Sequence, residues 1–147
     1  MKKLTLIVAL IAVAGGLAWL QPARAEHAEE TAVRQAIEHY LRGHATGDGQ
    51  HFQKVFHPEA KLFWVRDGKF TQRTSAEYIA GASGKPPADE AQRRRKIESI
   101  DITGNAAVVK VLLDYPNARF TDYMSMLKID GVWMIVNKTF VLEPKSR

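Results

Sequence analysis

The chain has 147 residues, no Cys and a formal charge of +5. Without Cys, disulfides, thiolate nucleophiles and Cys-based metal sites are excluded. Lys2, Lys3 and Arg24 fall in the first 25 residues, which contain no acid, so the remainder carries only +2 and gives little support to nucleic-acid binding.

The N-terminal segment reads as an export signal. Lys2 and Lys3 precede a 17-residue apolar run over 4–20, and Gln21-Pro22-Ala23-Arg24-Ala25 ends with the Ala-x-Ala spacing of a cleavage site. The run falls short of the roughly 18 residues of a spanning helix, and Gly15 and Gly16 interrupt it, which speaks against an uncleaved anchor. Cleavage is expected after Ala25, giving a periplasmic or secreted chain over 26–147. Its 122 residues suffice for one hydrophobic core and a single domain.

The spacing of Val33, Ile37, Tyr40, Leu41 and His44 predicts a helix over 26–46, with Glu26, Glu29 and Glu30 at its start and Gly47 after its end. Asp48 is placed to cap a short second helix bearing Phe52, Val55 and Phe56, closed by Pro58. Strands at 60–66 and 69–73 flank Asp67-Gly68, a hairpin dipeptide. Thr74-Ser75-Ala76-Glu77 is a capping box for a third helix carrying Tyr78, Ile79 and Ala82, followed by a Gly- and Pro-rich loop to about Asp89. Strands follow at 95–103, 106–115, 120–129 and 132–141. They are joined by Gly104-Asn105, by 116–119 and by Asp130-Gly131, hence antiparallel neighbours.

Turn length then sorts the side chains. Counting out from Asp130-Gly131 pairs Met126 with Ile135, Met124 with Asn137 and Asp122 with Thr139. Counting from the four-residue loop pairs Tyr115 with Phe120. One face collects Ile100, Ile102, Val109, Val111, Leu113, Tyr115, Phe120, Met124, Met126, Trp133, Ile135 and Val141, with Asp122, Asn137 and Thr139 among them. The helices are expected on this face. The opposite face, with Val108, Leu112, Leu127, Ile129, Val132, Met134 and Val136, is too apolar at one end to be fully wet and suits a homodimer.

Few residue patterns carry chemistry. His27, His39, His44, His51 and His57 include no i, i+4 pair and no HExxH spacing, so no metal site and no cofactor are read. There is no Gly-x-Ser-x-Gly elbow, and Gly81-Ala82-Ser83-Gly84 ends a helix instead of opening one, which removes a phosphate cradle. Arg93, Arg94, Arg95 and Lys96 form a basic run that reads as a solvated sheet edge.

Three helical stretches interleaved with a hairpin, then a four-stranded meander, resemble the α+β cone of nuclear-transport-factor-2-like domains. Phe56-His57-Pro58-Glu59-Ala60 and Gly131-Val132-Trp133-Met134-Ile135-Val136-Asn137-Lys138 are similar to segments of the SnoaL-like group, closest to its lumazine-binding branch. The resemblance implies N-terminal helices packed on a curved, mainly antiparallel sheet, with a pocket between the concave face and the first helix. Such relatives include isomerases, cyclases, dehydratases, hydrolases and binding proteins, so the fold does not choose a function.

Within the implied pocket, Asp122 and Asn137 are the polar points of the sheet, Tyr40 and His44 project from the helix, and Trp64 and Tyr115 supply aromatic walls. Trp133 lines a slot for a flat ligand or is plain core. These seven residues are the expected ligand-binding set. Asp122 as a base raised by desolvation, with Tyr40 or His44 as donor, is the arrangement that isomerase-like relatives imply; the alternative leaves Asp122 solvated and Tyr40 and His44 as helix packing. The reading is an exported, non-catalytic protein binding a small hydrophobic or aromatic molecule. An isomerase-, cyclase- or dehydratase-type enzyme is its first rival, favoured if Asp122 is buried beside Tyr40 and disfavoured if it is exposed at the rim. A protein-interaction module working through the outer sheet face is the second, told apart by whether a stable homodimer occupies that face.

Overall fold

The computed structural model describes residues 20–146, with side chains from Arg24 onward. Lys2, Lys3 and all but the last residue of the apolar run lie outside the described residues. The first helix, α1 (Leu20–Thr46), begins earlier than expected. Pro22 is no obstacle in its first turn, where backbone N–H groups have no helical acceptor. Glu26, Glu29 and Glu30 therefore sit within the helix and not at its start. Among the described residues, no helix is long and apolar enough to cross a membrane.

Gly47 stops α1 at φ 71, its N–H donating to Gly43 O at 2.9 Å. The Asp48 carboxylate caps α2 (Gly49–Val55) by accepting from Gln50 N at 2.8 Å. Pro58 does not close that helix: α2 stops at Val55, and Pro58 lies inside β1 (Phe56–Arg66). Residues 57–60 swell out of the ladder between the pairs Phe56↔Ile135 and Lys61↔Asn137, a position where a missing N–H costs little. Ser75 Oγ donates to His57 O and Pro58 O at 3.1 and 2.8 Å and fixes this swelling.

The hairpin to β2 (Lys69–Thr74) turns on Asp67 and Gly68 at φ 50 and 72, the doubly left-handed geometry of a type I′ turn. The full capping box at Thr74 and Glu77 then starts α3 (Ser75–Ala80). A single 3₁₀ turn at Glu90–Gln92 leads into β3 (Arg94–Thr103), β4 (Ala106–Asp114), β5 (Ala118–Ile129) and β6 (Val132–Pro144).

The strands form one sheet in the order β2-β1-β6-β5-β4-β3, antiparallel except where β1 runs parallel to β6. The core lies between the concave face and α1 and α2, built from Val33, Ile37, Tyr40, Phe52 and Val55 against Leu62, Val109, Val111, Met124, Met126 and Ile135. This is the expected α+β cone.

Two registers differ from expectation. Leu113, not Tyr115, pairs with Phe120, because the β4–β5 ladder closes at Asp114↔Arg119. That shift is two residues, so each side chain keeps its face. The β5–β6 ladder carries a bulge: Met126 pairs with Ile135 as expected, but Ser125 pairs with Asn137, leaving Val136 as the extra residue. Beyond it the faces are exchanged. Lys138 and Phe140 turn to the concave side, whereas Asn137, Thr139 and Val141, expected inside, turn outward.

Candidate functional site

The bulge decides what the interior contains. Lys138 pairs with Met124 and Phe140 with Asp122, so β5 and β6 together aim a cation and a carboxylate at α1. Tyr40 meets them from the helix. Its Oη donates to Asp122 Oδ2 at 2.5 Å, while Lys138 Nζ donates to Tyr40 Oη at 2.9 Å and to Asp122 Oδ1 at 3.1 Å. Tyr40 and Asp122 have no exposed surface and Lys138 is 3% exposed. The triad is internally satisfied, each polar atom finding its partner within it.

Burial sets its electrostatics. Desolvation holds the Lys138 ammonium below its ordinary range, with Asp122 pulling the other way. The Tyr40 phenol is pushed far up by burial and then by the adjacent Asp122 charge, so it stays a donor at any working pH.

A second polar layer surrounds the triad. Tyr78 Oη and His44 Nε2 lie 2.9 Å apart. Burial, then the positive charges of Lys138, Arg95 and Arg93, hold His44 well below its usual value and keep the ring neutral. Arg95 grips Glu90 through two bonds of 2.6 and 2.7 Å and donates to His44 O, an otherwise orphaned carbonyl near the end of α1. It also reaches Tyr115 Oη at 3.3 Å, and the Arg93 guanidinium lies 4.2 Å from the Tyr115 ring centroid. The basic run is thus a solvated edge only at Arg94 and Lys96; Arg95 clamps the helix end to the sheet, and Arg93 pairs with Asp89 and covers Tyr115.

A cleft of about 690 Å³ lies at the mouth of the cone, with Leu62, Trp64, Arg73, Tyr78, Phe120 and Phe140 among its walls. Trp64 stacks on Phe140 with ring centroids 5.2 Å apart, and the guanidinium groups of Arg66 and Arg73 stand 5.8 and 5.9 Å from the Trp64 ring. Deeper in, the space between sheet and α1 is filled by side chains, the triad among them.

The seven expected residues therefore separate. Trp64 walls the cleft. Tyr40, His44, Tyr115 and Asp122 form the polar layer beneath it. Trp133 is buried about 20 Å further along β6, six ladder steps from Phe140, and its Nε1 donates to Glu29 Oε2 at 3.0 Å. Asn137 is corrected to the convex face, beside Ser125 and Lys61. Lys138, Phe140, Tyr78 and Arg73 were not foreseen. The unbroken apolar run Trp133-Met134-Ile135-Val136 hides the bulge, because alternation cannot locate an extra residue where both faces are apolar.

Comparison with known proteins agrees with this architecture. A curated relative, the aldolase FrzH of Cladobotryum sp, is 27% identical over 108 residues, covering 72% of this chain and 85% of that protein. A solved nuclear-transport-factor-2-like protein of unknown function from Shewanella baltica superposes with a TM-score of 0.72 at 26% identity, covering 80% and 95% of the two chains. Another of unknown function, from Silicibacter pomeroyi, gives 0.69 at 23% identity, covering 82% and 98%. Residues 28–141 match the sequence model of one family throughout. The chain belongs to that family, described as "Putative lumazine-binding", and has the nuclear-transport-factor-2-like fold.

Proposed function

We propose that the protein is exported, with cleavage after Ala25, and binds a small planar aromatic molecule in the cleft at the cone mouth. The cleft itself carries this reading. Its volume, about 690 Å³, lies within the roughly 300–1,000 Å³ of small-molecule sites. Its walls include Trp64, Tyr78, Phe120 and Phe140, and the cations of Arg66 and Arg73 beside Trp64 favour a ligand with an electron-rich ring or an anionic substituent. The family description supports a heteroaromatic ligand of this kind.

Fluorescence titration of the 26–147 chain with lumazine, and separately with an anilinonaphthalene sulfonate, tests it. Trp64→Ala should weaken binding about tenfold, the ~1.4 kcal/mol expected of one lost aromatic stack. Trp133→Phe should leave it unchanged. Equal affinity in the Trp64→Ala protein removes the cleft reading. Recovery of the protein from the periplasm or medium with Glu26 as first residue tests export.

A second reading is favoured by one observation: Asp122 is buried beside Tyr40. In that geometry Asp122 is a base and Tyr40 an oxyanion donor for proton abstraction next to a carbonyl, chemistry that an aldolase such as the relative FrzH would need. Deuterium exchange into a panel of ketones, lost on Asp122→Asn, would support it. No exchange by the wild-type protein would count against it. The convex face, where Val108 and Val132 are 51% and 55% exposed, is proposed to receive a second copy of the chain.

A further inference from the structure

Neither reading uses the amine of Lys138. A Lys–Asp pair with almost no exposed surface is a poor stabilising device, because desolvating both charges offsets most of their attraction, and apolar side chains of the same volume would serve at least as well. Its placement is informative. Nζ lies 4.5 Å from the Phe140 ring centroid and 5.5 Å from that of Tyr78, and both rings also wall the cleft. The Phe140 ring thus touches both the amine and the cleft, and it is only partly buried.

We propose that Lys138 Nζ is a covalent carbonyl-capturing group, condensing with an aldehyde or ketone carried by the cleft ligand to form an iminium ion. This rests on the cleft reading for delivery of the ligand. Asp122 Oδ1, 3.1 Å away, takes a proton from the ammonium and frees its lone pair. That pair forms the C–N bond as the carbonyl π electrons move to oxygen. Tyr40 Oη, held against both partners, supports the proton relay to that oxygen. Two of the three ammonium protons leave with the carbonyl oxygen as water and the third stays on nitrogen, so atoms and charge balance without a co-reactant. The iminium keeps the single positive charge beside the Asp122 carboxylate, and the buried pair is preserved through the step. Desolvation of the ammonium favours the free amine in the same direction.

The test uses the 26–147 chain with cinnamaldehyde and cyanoborohydride at pH 7, read by intact mass and peptide mapping. Labelling of Lys138 at least tenfold faster than of exposed Lys69, Lys96 or Lys145 is expected, absent in Lys138→Arg. In the wild-type protein the labelling rate should reach half its maximum well below pH 10.5, the ordinary amine value, a readout that does not depend on any variant folding. Labelling spread evenly over surface lysines, or a surface-like pH profile at Lys138, overturns the inference. A parallel Trp64 fluorescence titration with the same aldehyde separates the two ideas. Binding without labelling sinks the covalent step and leaves the cleft; absence of both sinks the two together.

Discussion

Replacing Asp122 with Asn keeps the shape of the site and removes its negative charge. Lys138 then has no carboxylate partner, only neutral oxygens such as Tyr40 Oη, and 3% of its surface exposed. Losing one member of a buried pair typically costs about 3–5 kcal/mol. A ceiling follows from the escape route: Lys138 can give up its proton. Starting from 10.5, neutralising an amine at pH 7 costs at most about 5 kcal/mol at ~1.4 kcal/mol per unit. The penalty should therefore shrink by that slope and fall to about 2 kcal/mol at pH 9. The double change Asp122→Leu with Lys138→Met leaves the Tyr40 hydroxyl without either partner, a cost of about 1–3 kcal/mol, and should be milder at pH 7 than the single change. Urea unfolding followed by Trp64 and Trp133 fluorescence at pH 7 and pH 9 measures all three proteins. A single variant within about 1 kcal/mol of wild type, with no pH dependence, would show that no charged amine is buried there and refute the reasoning.

Other outcomes follow from separate features. His44 titrates below its unfolded value of 6.5, so its contribution to stability is whole above that value and is lost as the pH falls below it, at up to about 1.4 kcal/mol per unit; NMR should show a neutral ring at pH 6, and His44→Gln should flatten the acid limb of stability. Gly47→Ala would add a Cβ 2.1 Å from Lys85 O at φ 71, against a cost of about 3 kcal/mol. Gly84→Ala, at the same φ with open space around it, should cost about 1–2 kcal/mol, and thermal melts compare the two. Sedimentation equilibrium of the 26–147 chain should give a dimer that Val108→Lys with Val132→Lys converts to monomer; a wild-type monomer would leave the convex face to a different protein.

What could be read from the amino-acid order was whatever local chemistry decides. Asp67-Gly68 and Asp130-Gly131 adopt the left-handed pairs their residue types favour, and Thr74 and Glu77 close the capping box. Tyr40, Asp122 and His44 were legible as a group because helix period and strand parity both bring them inward. The parallel pairing of β1 with β6 joins segments some 75 residues apart, and no short motif encodes it. The exchange of Asn137 for Lys138 had the same origin: the register was correct up to Ile135 and one unpaired residue inverted it. Trp133 was placed on the correct face and at the wrong end, since position along a strand says little about where a cone opens.

That single extra residue gives β6 an unusual kind of sensitivity. Drawing Val136 into the ladder as a paired residue would restore strict alternation and bring Asn137, Thr139 and Val141 inward in place of Lys138, Phe140 and Leu142. The chamber would lose its amine and an aromatic wall, and gain an amide and a hydroxyl, with no substitution anywhere. Reactivity in this protein is thus stored in the pairing of backbone units as much as in their identity, and deleting Val136 would straighten the strand while keeping Lys138 and Phe140 inward.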